Sequence, residues 1–343
     1  MPPCMLPCLK PMCAGTSKVD AMSGRNKNLA VIAIGGNSLI SKKNKKSVED
    51  QYDAIRVTVR HIADVIESGR QVCITHGNGP QVGFILLRSE IARKQTGMHL
   101  VPLVSCVADT QGAIGWQIQQ ALSNELRDRG NKAAGRVISL VTQVRVDADD
   151  PGFDAPDKYV GEFYDEAELL GLKAQHPEWV LKQDANRGWR RVVPSPVPRE
   201  IVELDAIRAL LADGFNLITV GGGGIPVVID TRNDLRGVDA VIDKDLASCL
   251  LANALKAGLF VISTGVEKVC VNFGKPDQKE LFSVTTAEIR AYYDEGQFPA
   301  GSMGPKIKAA LDFLDNGGEE VIITNPENMK IAMSGNGGTH IKQ

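Results

Sequence analysis

Leu29 to Ile34 is an unbroken apolar run that stops at Gly35-Gly36. A short run without alternation predicts a parallel strand buried on both faces. Ser47, three residues before Asp50, then marks a capping-box helix start, and Ile55, Val59, Ile62 and Ile66 recur at helical spacing until Gly69 closes the element. Val72 to Thr75 is a second apolar run, ending at His76-Gly77. A strand–helix–strand crossover of this kind puts both glycine turns on the same edge of a parallel sheet. Helices are predicted over 81–94 and 110–127, and a strand over 137–144.

The pattern changes at Asp147. From there to Pro198 the chain is polar, broken by prolines, and carries Trp179 and Trp189. About 147–198 is therefore expected to be an inserted, protruding subdomain. The α/β rhythm resumes with a helix over 201–211 and a strand over 217–220 that runs into Gly221-Gly222-Gly223-Gly224. A helix over 247–256, strands over 259–263 and 268–271, a helix after Gly304-Pro305-Lys306 and a strand over 321–324 complete the pattern. No fixed-period repeat or heptad array is present.

Composition narrows the class. With 343 residues, 43% of them hydrophobic, the chain can bury a sizeable core. Its 39 basic and 41 acidic residues leave a charge of -2, which gives no electrostatic reason to expect nucleic acid as a partner. No run of about 18 apolar residues predicts a membrane span. Cys73, Cys106, Cys249 and Cys270 are isolated, without disulfide or CxxC spacing, so a reducing, cytoplasmic setting is expected and a structural zinc site is not. Residues 1–28 are rich in Pro, Cys and Met without periodicity, and are expected to be a disordered extension.

Four segments carry the candidate chemistry. Gly35-Gly36-Asn37 follows an apolar strand directly, where glycines let backbone amides converge on an anion. His76-Gly77-Asn78-Gly79-Pro80-Gln81-Val82-Gly83 approaches a dinucleotide fingerprint, but its third glycine falls one position late, which argues against a nicotinamide site. The Gly77 and Gly79 amides and Asn78 suit a small anionic substrate, while His76 reads equally as a general base or a hydrogen-bonded structural histidine. Asp243-Lys244-Asp245 follows apolar Val241-Ile242 and opens a helix, so its lysine stands where the dipole favours an anion. Lys306 follows Pro305, a first-turn residue, with Ile307, Ala310, Leu311 and Leu314 on the buried face. The Gly221–Gly224 run is expected to permit close backbone approach to a ligand rather than to serve packing. There is no GxxxxGK[ST], H-R-D or D-F-G signature, so a phosphotransferase here needs another scaffold.

Taken together, Ala33-Ile34-Gly35-Gly36-Asn37, Thr75 to Gly83, Gly237 to Asp245 and Gly301 to Lys306 resemble the amino acid kinase superfamily and, within it, the carbamate kinases, from about Leu29 to the C-terminus. The resemblance implies an α/β fold, a three-layer α/β/α sandwich around a mostly parallel sheet with a small protruding subdomain, a nucleotide-binding half at about 199–343, and a homodimer. It implies Mg²⁺-dependent phosphoryl exchange between ATP/ADP and carbamate/carbamoyl phosphate, the ATP-forming direction serving arginine fermentation. Lys158, Lys244 and Lys306 would contact the transferring group and Asp245 would orient the lysines. Gly35, Gly36, Asn37, Gly77, Asn78 and Gly79 would line the phosphate and carbamate sites. Gly222, Gly223, Asp243, Thr264, Gly265, Val266, Val269 and Met303 would border the nucleotide, and no protein metal site is implied. Carbamate's attacking oxygen is already anionic, so no general base is required, which argues against a catalytic His76. The open alternatives are a sibling kinase acting on acetylglutamate, glutamate or UMP, and a non-catalytic nucleotide-sensing module.

Overall fold

The computed structural model describes residues 24–35, 47–184, 188–299 and 301–343. Of the expected extension, residues 1–23 lie outside the described residues, but Gly24 to Asn28 do not. The first strand, β1 (Asn26–Ile34), begins three residues earlier than its apolar run. Helix α1 (Val48–Glu67) starts at the Ser47 cap, where the Asp50 amide donates to Ser47 Oγ at 3.1 Å and the reciprocal half of the box is also made. It leads to β2 (Gln71–His76), then to α2 (Gly79–Thr96), α3 (Leu103–Asp128) and β3 (Val137–Ser139).

The single strand expected over 137–144 is two strands in different sheets. After β3 the chain turns, and β4 (Gln143–Val146) joins a second sheet. Then come β5 (Lys158–Tyr164), α4 (Leu169–Gln175), β6 (Val180–Gln183) and β7 (Trp189–Val193). Ile201, expected to open a helix, instead closes β8 (Pro198–Ile201), and the helix α5 is Leu204–Ala212. Next follow β9 (Asn216–Ile218), β10 (Ile225–Ile229), β11 (Leu235–Gly237), α6 (Lys244–Ala254) and β12 (Ala257–Ser263). The remainder is β13 (Val269–Val271), β14 (Lys279–Leu281), β15 (Ser283–Thr285), α7 (Thr286–Asp294), α8 (Met303–Asp315), β16 (Glu320–Thr324), α9 (Met329–Met333) and β17 (Thr339–Lys342).

Eight strands form the main sheet in the order β15-β17-β16-β12-β1-β2-β9-β3, parallel throughout except where β16 meets β17. Both faces are covered at its centre, which is why β1, β12 and β16 read as nearly continuous apolar runs. Ala30, Ile32 and Ile34 of β1 face one core with Ile55, Val59 and Ile62 of α1 and Ile114 and Ile118 of α3. Leu29, Val31 and Ala33 face the other, with Leu251 of α6 and Ile307, Ala310 and Phe313 of α8. The fold is thus the expected three-layer α/β/α sandwich. A four-stranded sheet, β11-β10-β4-β8, and a three-stranded one, β5-β7-β6, stand beside it.

The glycine run at the end of β9 belongs to this packing. Gly222, Gly223 and Gly224 all adopt positive φ, at 67°, 95° and 91°. An added Cβ would overlap His76 from Gly221, Asn78 from Gly222, the Ile242 carbonyl from Gly223 and Val144 from Gly224. Close approach within the protein is thus a requirement at all four glycines that the sequence reading did not include. The run knots the turn after β2 to the turn before α6. Gly222→Ala is expected to cost about 3 kcal/mol, through left-handed strain plus overlap. Gly130→Ala, with φ of 69° but nothing within 4 Å, should cost only about 1 kcal/mol. Equal urea-unfolding losses for the two variants would contradict the packing account.

Candidate active site

The parallel strands deliver their carboxyl ends, and the loops after them, to one edge of the sheet. There the Gly77 amide donates to the Ile34 carbonyl at 3.0 Å, joining the turns that follow β1 and β2. A side chain at Gly35 would press on the Ser263 carbonyl, 3.0 Å from its Cβ. Gly36 and Asn37 lie outside the described residues. Asn78 precedes α2 but does not cap it; it is buried and donates from Nδ2 to Thr110 Oγ1 at 2.9 Å.

Helix α6 begins at the same edge. Asp243 caps it, its Oδ1 accepting from the Asp245 and Leu246 amides at 2.9 and 3.3 Å. Ser248 Oγ donates to the Lys244 carbonyl and lies 2.6 Å from Thr75 Oγ1 of β2, tying the first turn to the sheet. On this base three lysines meet two carboxylates, Asp243 and Asp245. Lys158 Nζ, from the start of β5, donates to Asp243 Oδ2 at 2.8 Å. Lys244 Nζ donates to Asp245 Oδ1 at 2.5 Å, and Lys306 Nζ, from the first turns of α8, donates to Asp245 Oδ2 at 2.8 Å.

Three ammonium groups thus face two carboxylates. The side chains of Lys244, Lys306 and Asp245 are 13%, 15% and 5% exposed, so the unit of positive charge in excess is poorly hydrated. Burial alone would raise the Asp245 carboxyl, but Lys244 and Lys306 outweigh it and hold it well below the usual carboxylate range. Burial would likewise raise Asp243, yet Lys158 prevails and it too is lowered. Lys244 is lowered, first by burial and then by the neighbouring Lys306 charge, against the pull of Asp245. The N-termini of α6 and α8 add partial positive charge to the same place. An anion entering here supplies the missing negative charge, and a phosphoryl group offers several acceptor oxygens at once.

His76 is fully buried, and burial pushes it down from 6.5 to about 4. Its Nδ1 faces the Gly77 carbonyl at 3.0 Å, so Nδ1 carries the proton. This is the structural reading of His76, a neutral ring wedged against Gly221.

Of the other expected nucleotide residues, Met303 opens α8, and Gly265 and Val266 are exposed on the loop after β12. Thr264 is anchored by its amide to the Thr324 carbonyl at 2.8 Å. Val269 is fully buried, with its amide bonded to Thr339 Oγ1; its side chain belongs to the core and is not presented to a ligand. Two contacts escaped the sequence reading. One is the partnership of Lys158 with Asp243, residues 85 apart. The other is a glutamine chain in which Gln81 donates to Gln51 at 2.7 Å and Gln51 to Gln117. Two surface hollows of about 310 and 320 Å³ lie among other residues, around Lys27 and Arg70 and around Arg93 and His176.

The profile of the amino acid kinase family matches residues 28–325. The chain belongs to that family. A carbamate kinase-like protein of Escherichia coli is 51% identical over 92% of this chain and 99% of its own length. The carbamate kinase of Thermococcus kodakarensis is 46% identical over 91% and 98%. Among solved structures, carbamate kinase from Giardia lamblia bound to AMP-PNP superposes with a TM-score of 0.85 at 40% identity, covering 93% of this chain and 99% of that one. The chain is thus an amino acid kinase family member that matches these carbamate kinase and carbamate kinase-like proteins over nearly their whole length.

Unfolded His76 titrates at its ordinary 6.5 and the folded ring at about 4, so between these values the unfolded chain binds the extra proton. Its contribution to stability is complete above about pH 6.5 and drains away towards pH 4, by on the order of 3 kcal/mol. His76→Asn should flatten stability against pH in that window, as read by urea unfolding. An unaltered slope would contradict a buried neutral His76.

Proposed function

We propose that this chain is a carbamate kinase that transfers a phosphoryl group between ATP and carbamate, forming ATP from ADP and carbamoyl phosphate. The observation that carries the reading is the shared carboxylate of Asp245, which brings Lys244 and Lys306 together beside the Lys158–Asp243 pair. The relatives' names supply the substrate, and the network supplies the chemistry.

Phosphoryl transfer spreads negative charge over the equatorial oxygens, and catalysis is mostly positioning plus fixed positive charge. Lys158, Lys244 and Lys306 would stabilise that charge, with Asp245 holding two of them in place. Gly35, Gly36, Asn37, Gly77, Asn78 and Gly79 would line the phosphate and carbamate sites. The nucleotide would lie towards Thr264, Gly265, Val266 and Met303, near Gly222, Gly223 and Asp243. Among the described residues no three His, Cys, Asp or Glu side chains gather as a metal cage. Mg²⁺ would be carried in by the nucleotide phosphates, keeping water and phosphate oxygens as its main ligands. Mg²⁺ would screen the phosphate charge.

Among the described residues no helix is long and apolar enough to cross a membrane, and the four cysteines there are free, which fits a reducing cytoplasm. We also infer a homodimer. β3 is the edge of the main sheet, and Trp116 of α3 and Val141 just past β3 stay 56% and 59% exposed. Light scattering should give twice the 36.9 kDa chain mass and a single chain mass for Trp116→Glu. A monomeric parent would refute the dimer.

Activity is tested by ATP formation from ADP with carbamoyl phosphate, acetylglutamyl phosphate or UDP offered in parallel. Carbamoyl phosphate alone is expected to serve; nucleotide binding without turnover on any donor would point to a sensing module instead. Lys306→Ala should lower kcat by about 100- to 1,000-fold with nucleotide affinity changed only a few-fold. Near-normal turnover would remove Lys306 from the mechanism.

A further inference from the structure

The two helices that present the lysines are also fastened at their far ends, by one residue. Arg25, just ahead of β1, is half-buried and donates from Nε to the Gly317 carbonyl and from Nη2 to the Asn316 carbonyl, each at 2.6 Å. These carbonyls belong to the C-cap of α8 and the residue after it. The same guanidinium donates from Nη2 to Asn253 Oδ1 in the last turn of α6 and from Nη1 to the Ala257 carbonyl of β12, each at 3.1 Å. Its face lies 4.8 Å from the ring centroid of Phe313, in the last turns of α8. Few side chains other than arginine's can do this, because only a planar fork offers five donors in fixed directions.

We propose that Arg25 is a positioning residue for the phosphoryl-transfer site, acting by setting the alignment of α6 with α8. Between the two ends the helices meet through apolar, often small residues, among them Ala247, Leu251, Ala252, Ile307, Ala310 and Leu314. Such burial is non-directional, so it resists separation more than it resists tilt or sliding. Directional bonds exist at both ends: Asp245 with Lys306 in front and the Arg25 clasp behind. Helix α6 has 11 residues, about 16 Å at 1.5 Å each. A tilt of about 5° at the rear moves the front by roughly 1.4 Å over that length, and misplacement by about 1 Å can cost on the order of 10²-fold in rate. The distance from Arg25 to the lysines is therefore a lever arm.

The proposal rests on the kinase reading for its rate effect but not for its geometry, and the test separates the two. For Arg25→Ala and Arg25→Lys, kcat and both KM values are measured where near-UV circular dichroism shows the fold intact. Alongside, the rate at which acetic anhydride modifies Lys306 is followed by mass spectrometry without substrates. Arg25→Ala should lose about 10-fold in kcat with KM within 2-fold, and Lys306 should be acetylated several-fold faster. Arg25→Lys, which keeps the charge without the fork, should fall between and serves where the alanine variant does not fold. In a Lys306→Ala background the kcat loss from Arg25→Ala should shrink below 2-fold. Unchanged Lys306 acetylation, or the same 10-fold loss in that background, would overturn the proposal. A parent that forms no ATP from carbamoyl phosphate would defeat the kinase reading, while the acetylation comparison still decides the role of Arg25.

Discussion

Asp245 is the carboxylate on which the site depends. Two lysines from separate helices would repel each other in a poorly hydrated place, and a carboxylate with one oxygen for each makes them neighbours. Removing one partner of such a buried pair costs about 3–5 kcal/mol, because the survivor is left uncompensated. The network is not neutral: Lys158 and Asp243 cancel, and two ammonium groups share the single charge of Asp245. Among the described residues this cluster thus carries one positive charge in excess, which disposes the site towards an anion that brings its own negative charge.

Much of the surrounding structure serves to hold that carboxylate still. Asp243 caps the helix on one oxygen and receives Lys158 on the other, so the element carrying Asp245 is coupled to β5. Ser248 fastens the first turn of α6 to Thr75 of the central sheet. The glycine run presses its backbone against His76, Asn78 and Ile242, so the turn after β2 and the turn before α6 cannot shift separately. The chain enters this knot through Val220, a fully buried β-branched residue at φ of 52°. Valine rarely accepts that conformation, and only tightly specified surroundings maintain it.

Six of the eight main-sheet strands were legible, the central ones because burial on both faces makes them apolar runs, whereas β15 and β17, short and partly polar, were not read. Lys244 and Lys306 were legible because each stands at the start of a helix whose other face is apolar. Their meeting at Asp245 was expected only through the family resemblance. Periodicity is a local signal, and these two lysines are joined across 61 residues. The same limit hid the Lys158–Asp243 pair and the Arg25 clasp, which spans 291 residues to Asn316. Where local signal misled, tertiary context won. Ile201 fits a helical stripe with the residues after it, yet pairs with Val144 at a sheet edge. The packing task of the glycine run went unread because sequence does not reveal which distant groups, here His76, Asn78, Ile242 and Val144, pass close to it. Val269 falls within a segment assigned to the nucleotide, but its strand turns it into the core.

The most direct measurement of the central claim is a crystal structure with ADP, Mg²⁺ and a planar metal-fluoride mimic of the migrating phosphoryl group. The account predicts fluorines about 2.7–3.1 Å from the ammonium nitrogens of Lys244 and Lys306, with Asp245 still joining the two and Lys158 closing the third side. A mimic bound with either Lys244 or Lys306 turned away into a separate region would contradict it.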